Sequence, residues 1–301
     1  MRVAIIDLGT NTFHLLIAKI ENNGHFSTLH RIRKYVYIGE EGVETLGEKP
    51  LKRAYETLAE YKKVMDEYAV EKVMAFGTAG LRTASNGKDF IKKVKNEIGI
   101  EIQAISGDRE ADLIYLGTKQ AVPMTDENIL IMDIGGGSVE FIIANQKGKI
   151  WAQSFPVGVS VLYNIFHKFE PISALEITDL TNFLHRNFEP LYAALERNSA
   201  QILVGASGTF DIISRIMGKP MEDYPNCEIA DLSDFPMFYD EVVTANLAKR
   251  LAMDAIPNQR AKLIPVALIL INIILEKAKI NQMLVSAYAM KEGILWEMAN
   301  G

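Results

Sequence analysis

The feature that most constrains this chain is a pattern that occurs twice. Residues 2–6 are apolar and β-branched, turn through Asp7-Leu8-Gly9-Thr10-Asn11, and resume as an apolar run at 13–20. Residues 129–132 repeat the theme, ending in Asp133-Ile134-Gly135-Gly136-Gly137-Ser138 before the apolar run 139–144. Each reads as two strands joined by a polar tip, and such a restart is what a duplicated domain leaves behind. The pattern pauses at 123–128, so the seam falls near residue 123 and divides the chain into residues 1–122 and 123–301. With 301 residues, 49% of them hydrophobic, there is material for two cores.

Strand and helix patterns alternate between the hairpins. A third strand is expected at 28–33. Leu51, Ala54, Leu58, Tyr61 and Met65 recur at helical spacing across 51–68. A strand at 72–76, a helix at 86–97, a strand at 101–105 and a helix at 109–120 complete a first half of α/β type. Beyond the second hairpin the patterns predict helices over 173–197, 210–217, 240–252 and 260–277, a strand at 201–204, and a closing strand and helix at 283–287 and 290–298. The last helix, about 288–301, is expected to pack back on the first domain.

Composition narrows the function classes. The net charge of −6 argues against a generally basic surface and against a nucleic-acid polymer as partner, so a polyanionic substrate requires a local basic cleft. Cys227 is the sole cysteine, which excludes an intrachain disulfide and a thiolate metal cluster and fits a reducing compartment. The N-terminus lacks the features of a signal peptide. The most apolar stretch, 263–275, contains Pro265 and Asn272 and is shorter than the roughly 20 residues that cross a bilayer. A cytoplasmic protein with no membrane partner is expected.

The Gly turns carry the chemistry. A turn of glycine and small hydroxyl residues at the carboxyl end of a strand exposes successive backbone amides, which form a concave anion site. Gly9-Thr10-Asn11-Thr12, Gly135-Gly136-Gly137-Ser138 and the turn through Ser207, Gly208 and Thr209 are three such candidates, and together they suggest a chain of phosphates. No Walker-type Gly-Lys-Ser/Thr or Gly-x-Gly-x-x-Gly is present. Asp7 and Asp133 sit at matching strand ends, and paired carboxylates there suit Mg²⁺, which takes one or two carboxylates when it also binds substrate phosphates. Glu140 is a further metal candidate; each acid has a plain alternative as a turn cap or solvated strand end. Glu110, near the start of a helix, reads locally as a carboxylate favoured by the helix macrodipole. Arg82 is either a bidentate phosphate donor or a surface cation. Arg31, Arg33 and Lys34 form a basic cluster that is either a solvated strand edge or a gateway for a polyanion. The histidines, His14 among them, show no metal-ligand spacing.

The chain resembles the exopolyphosphatase and guanosine pentaphosphate phosphohydrolase family, within the superfamily of sugar kinases, actin and chaperone ATPases. The likeness rests on the segment 4–15, on 78–86, on Ile105-Ser106-Gly107 through Glu110-Ala111, on 133–140, on Gly205-Ala206-Ser207-Gly208-Thr209, and on Val285-Ser286-Ala287-Tyr288 with Lys291-Glu292-Gly293. The resemblance implies two ribonuclease-H-like, actin-like ATPase domains with mixed sheets flanked by helices around an interdomain cleft. It implies that Glu110 is the general base for water, that Asp133 and Glu140 hold Mg²⁺ or Mn²⁺ with Asp7 nearby, and that Arg82 clamps phosphate. The expected activity is removal of the terminal phosphate of inorganic polyphosphate. The alternatives are a guanosine pentaphosphate 5′-phosphohydrolase and a catalytically weak polyphosphate- or nucleotide-binding regulator. A homodimer is implied by the resemblance alone.

The chain departs from the family pattern in several places. Asp112 stands where the family has arginine, Tyr37 replaces another expected cation, and Lys262 replaces an acid. Long members also carry a helical domain resembling HD-type phosphohydrolases, and its absence from this sequence favours short polyphosphates or nucleotides as expected substrates.

Overall fold

The computed structural model describes residues 1–21 and 24–300. The first sheet contains β1 (Arg2–Leu8), β2 (Thr12–Ile20), β3 (Phe26–Tyr35), β4 (Lys72–Gly77) and β5 (Ile102–Ala104), in the order β3-β2-β1-β4-β5. The second contains β6 (Ile129–Ile134), β7 (Val139–Asn145), β8 (Gly148–Phe155), β9 (Ile202–Ala206), β10 (Gly218–Met221), β11 (Tyr224–Ala230) and β12 (Gln282–Ser286), in the order β10-β11-β12-β9-β6-β7-β8. Five strands of the second sheet, β8-β7-β6-β9-β12, repeat the order of the first. Pairing also repeats: β1 and β6 are antiparallel to the strands that follow them and parallel to β4 and β9.

A pair of helices separates the sheets. α4 (Gly107–Thr118) and α12 (Met290–Asn300) pack along each other. Their residues Ala111, Leu113, Ile114, Ile294 and Leu295 share one core with Val3 and Ile5 of β1 and Ile129 and Ile131 of β6. Glycine makes the crossing possible. A Cβ on Gly117 would fall 1.9 Å from the Ala289 carbonyl oxygen, and one on Gly293 would fall 1.9 Å from that of Leu113. The closing helix therefore lies against α4 and also touches β1.

On the outer face of the first sheet lie α1 (Glu48–Glu67) and α3 (Gly87–Ile98), each amphipathic, with Ala54, Leu58, Tyr61, Phe90 and Val94 turned inward. The outer face of the second sheet is thicker. It carries α5 (Val159–Phe166), α6 (Ala174–Asn187), α7 (Glu189–Arg197), α8 (Phe210–Met217), α9 (Phe235–Val243) and α11 (Ile264–Lys277), gathered around one core. α11 is the apolar stretch seen in the sequence, and every residue from Ile264 to Ile271 is buried in the core. No helix among the described residues is long and apolar enough to cross a membrane.

Several sequence expectations are corrected. The single helix expected over 173–197 is two, α6 and α7, with Pro190 in the first turn of the second, where its missing amide leaves no bond unmade. The helix expected over 240–252 is α9, which begins earlier at Phe235, followed by α10 (Leu247–Leu251), whose Asn246 cap accepts a hydrogen bond from the Lys249 amide. α11 starts at Ile264 rather than 260, again with proline in its first turn. Five elements escaped the sequence reading: α2 (Ala79–Thr83), β8, α5, β10 and β11. Proline at position 220 argues against a strand in general, but β10 is an edge strand, where a missing donor costs nothing.

Candidate active site

The repeated topology brings the carboxyl ends of β1, β4, β6 and β9 and the amino ends of α4 and α12 to one cleft. Both hairpin tips are built alike: the Gly9 amide donates to the Thr12 carbonyl at 3.1 Å, and the Gly135 amide to the Ser138 carbonyl at 2.9 Å. The second tip is braced from behind. The first amides of α5, on Val159 and Ser160, donate to the carbonyls of Gly135 and Gly136, each at 3.0 Å. The tips meet across the cleft, where the Ser160 hydroxyl donates to Asn11 Oδ1 at 2.8 Å and a side chain on Gly136 would run into Asn11. The Thr10 hydroxyl is buried there without a hydrogen-bond partner among the described residues.

The cleft is lined by Asp7, Gly9, Thr10, Asn11, Thr12, Glu110, Asp133, the turn 135–138, and Ser207, Gly208 and Thr209. Most of the residues singled out in the sequence thus meet in one place. Asp7 pairs in register with His14 across β1 and β2, and Asp133 pairs with Glu140 across β6 and β7. Arg82 and Glu140 stand just behind the lining. Arg82 Nη1 donates to Glu110 Oε2 at 2.9 Å and to the Ile105 carbonyl at 3.0 Å. Its guanidinium is therefore held on Glu110 rather than presented freely to a phosphate. Glu140 is buried, and its Oε1 accepts from the Ser154 hydroxyl at 2.7 Å.

Burial sets the electrostatics. Desolvation pushes the Asp7 carboxyl up to about 6, with Lys291 opposing the shift and Asp133 adding to it. Asp133 is also raised by burial, against a hydrogen bond from Ser207 and the charge of Lys291. Burial, then the neighbouring Glu140, raises Glu110 well above the carboxylate range, while Arg82 opposes. Burial and Asp133 raise Glu140. His14 is driven well below its ordinary value by burial and by Lys291, Arg33, Arg260 and Arg31, so it is neutral at pH 7.

Sequence reasoning gave no place in the site to several lining residues: His14, Tyr35, Tyr37, Thr78, Gln259, Arg260 and Lys291. The basic cluster divides on folding. Arg33 lines the cleft and pairs with Asp211 of α8 at 3.0 Å, Arg31 reaches Glu292 at 3.3 Å, and Lys34 turns away to Glu60. Tyr37, one of the departures, donates its hydroxyl to the Gln259 carbonyl at 2.7 Å and so joins the two halves. Asp112 pairs with Lys149, and Lys262 lies over the Tyr163 ring at 4.6 Å. Arg260 crowds the third turn, where a Cβ on Gly208 would fall 1.7 Å from its Nη2. Nothing in the local sequence around 259–260 marks a site, and Lys291, although it lies in a segment that carries the resemblance, has no local signal of a place in the cleft.

The donor set for a cation is all oxygen. Among the described residues no three His, Cys, Asp or Glu side chains converge on one point. Carboxylate oxygens such as those of Asp7 and Asp133 are the donors that a hard divalent cation takes.

Residues 16–300 match the Ppx/GppA phosphatase family. The chain belongs to that family. Its two mixed sheets are of the actin-like ATPase type. The exopolyphosphatase from Cytophaga hutchinsonii superposes with a TM-score of 0.95 at 36% identity, over 100% of this chain and 98% of that one. The Aquifex aeolicus PPX-GPPA enzyme superposes with a TM-score of 0.80 at 25% identity, over 99% of each chain. A curated Ppx/GppA relative, the guanosine-5′-triphosphate,3′-diphosphate pyrophosphatase of Photobacterium profundum, is 28% identical over 297 residues. Those residues are 98% of this chain and 59% of the relative, so the chain spans well under two thirds of that protein's length.

Proposed function

We propose that this protein hydrolyses phosphoanhydrides, removing the terminal phosphate of inorganic polyphosphate. The observation that carries the reading is the state of Glu110. Its Oε2 is held by Arg82, while its Oε1 has no hydrogen-bond partner among the described residues, and the side chain lines the cleft opposite the Gly turns. A carboxylate with one oxygen anchored and the other available can orient a water, and a raised pKa suits it to accept the proton.

The phosphate chain lies against the amides of 9–12, 135–138 and 207–209, with Arg33, Arg260 and Lys291 countering its charge. Water held by Glu110 attacks the terminal phosphorus. The new O–P bond forms as the bridging P–O bond breaks, the proton passes to Glu110, and the shortened chain leaves as an oxyanion. Positioning and charge neutralisation supply most of what phosphoryl transfer needs. Asp7 and Asp133, backed by Glu140, would hold Mg²⁺ or Mn²⁺, which when bound neutralises phosphate oxygens.

A second reading, a guanosine pentaphosphate 5′-phosphohydrolase, is favoured by a separate observation. Tyr35 and Tyr37 line the cleft with ring centroids 5.9 Å apart and rings inclined by 24°, an aromatic surface that a linear inorganic chain does not require. Phosphate release with Mg²⁺ from long polyphosphate, tripolyphosphate, guanosine pentaphosphate and ATP, with Glu110→Gln as the control, tests both. Glu110-dependent release ranks the substrates. Tight binding without release from any of them overturns the hydrolase in favour of a binding regulator.

A further inference from the structure

Arg250 is the largest fully buried side chain among the described residues, and it lies outside the cleft. Each of its three nitrogens is engaged. Nε donates to the Ala261 carbonyl at 2.7 Å, Nη1 donates to the Ala245 carbonyl, and Nη2 reaches Glu170 Oε1 at 2.8 Å and Oε2 at 2.9 Å. His167, at the end of α5, is buried with Nε2 3.1 Å from Glu170 Oε1. A buried guanidinium held through all three nitrogens has little freedom to move, and the backbone it holds is fixed with it.

The backbone held at Ala261 follows immediately after Gln259 and Arg260. That loop supplies two functional contacts: the Gln259 carbonyl receives Tyr37 from the first half, and the Arg260 guanidinium lies against Gly208 of the third turn. A second tie, Lys262 over the ring of Tyr163 in α5, secures the far side of the same loop. The loop's side chains enter the cleft, while its anchor is 0% exposed behind it.

We infer that Glu170 and Arg250 form a positioning clasp for polyphosphate binding, setting where Arg260 stands relative to the third Gly turn. The inference rests on the reading of the cleft as a polyphosphate site. Neither residue touches substrate. Arg250 fixes the loop, and Glu170 fixes Arg250 while neutralising a cation that has no water around it, which is why removing one partner of such a pair is expensive. The inference assigns Arg260, at the third turn, to holding the substrate and Glu110 to the reacting atoms, so displacement of Arg260 weakens binding more than turnover.

The test is a double-mutant cycle between Glu170→Gln and Arg260→Ala, read by calorimetric binding of inorganic tripolyphosphate and by the KM and kcat of phosphate release. Near-UV circular dichroism and urea midpoints confirm that each variant is folded, and Arg250→Lys, which keeps the charge but cannot make the two-pronged contact with Glu170, is the fallback if Glu170→Gln is not. Glu170→Gln is expected to raise Kd and KM by about tenfold with kcat within about twofold, and to have almost no further effect once Arg260 is alanine. Glu170→Asp is expected to restore most of the affinity. Equal fold-losses in both backgrounds, or folded variants with unchanged affinity, overturn the clasp while leaving the cleft's function intact. A wild type that binds tripolyphosphate but releases no phosphate overturns the hydrolase and leaves the clasp measurable. A wild type that binds no polyphosphate overturns both.

Discussion

The two halves share a strand order and a turn geometry yet place different chemistry at matching positions. Opposite Asp7 stands neutral His14; opposite Asp133 stands buried Glu140. The first tip is Gly-Thr-Asn-Thr, and the second is Gly-Gly-Gly-Ser, braced by α5. The helix after the first sheet presents an acid, Glu110, and the helix after the second presents a cation, Lys291. The outer layers differ as well, two amphipathic helices on one side and the fully buried α11 within a thick layer on the other. One strand order and one turn geometry occur twice, and the side chains at matching positions differ: the first half presents Glu110 to the cleft, and the second half has the more acidic strand pair and the loop that Arg250 holds at Ala261.

The largest test of that division is Glu110→Gln, expected to lower kcat by about 10²–10⁴-fold with little change in KM. Single-turnover phosphate release and substrate binding measure it, and equal losses in both would remove Glu110 as the base. Matched substitutions come next. Glu140→Gln is expected to reduce activity about 10–100-fold and raise the Mg²⁺ concentration needed for half-maximal rate. His14→Gln should leave that metal requirement in place; equal metal shifts from both would erase the asymmetry.

Stability offers smaller effects. Gly293→Ala and Gly117→Ala should each cost about 1–3 kcal/mol, because each new methyl meets backbone. Thermal melting should show similar losses for the two, since the contact is reciprocal. The second half also contributes an acid limb. Burial holds His167 below its ordinary value, with Glu170 opposing the shift and Arg250 adding to it. The folded state therefore resists a proton that the unfolded chain accepts near pH 6.5. Stability from this group is complete above that pH and is lost as pH falls below it, so His167→Phe should flatten the decline of the urea midpoint between pH 7 and 5. The smallest effect belongs to Arg33→Gln, whose exposed pair with Asp211 contributes no more than about 1 kcal/mol to folding. It should instead raise KM at low salt, a difference that shrinks as salt screens the cleft.

Much of this architecture was legible because the hairpins announce themselves: β1, β2, β6 and β7 are apolar runs stopped by Asp and Gly. β8 was not, since residues 148–155 mix charge, aromatic and hydroxyl groups in a strand that seals an edge. The site divided in the same manner. Asp7, Glu110 and Asp133 lie beside turn residues that local chemistry can flag, whereas Arg260 and Lys291 reach the cleft only because the second half folds its later segments over β9 and β12. Arg82 and Glu140 were visible as charged residues, but which neighbour each would face depends on pairings between β7 and β8 and between α2 and α4.

The crossing of α4 and α12 has a mechanical consequence. Helices packed through large side chains are geared, because ridges seated in grooves resist rolling. At Gly117 and Gly293 there are no teeth. The bare backbones touch there, and the amino ends of the helices project from the crossing as two arms, one tipped with the carboxylate of Glu110 and the other with the ammonium of Lys291. With main chain against main chain, no rotamer change can alter the crossing, so the two charges are held on arms whose spacing is set by the backbone itself.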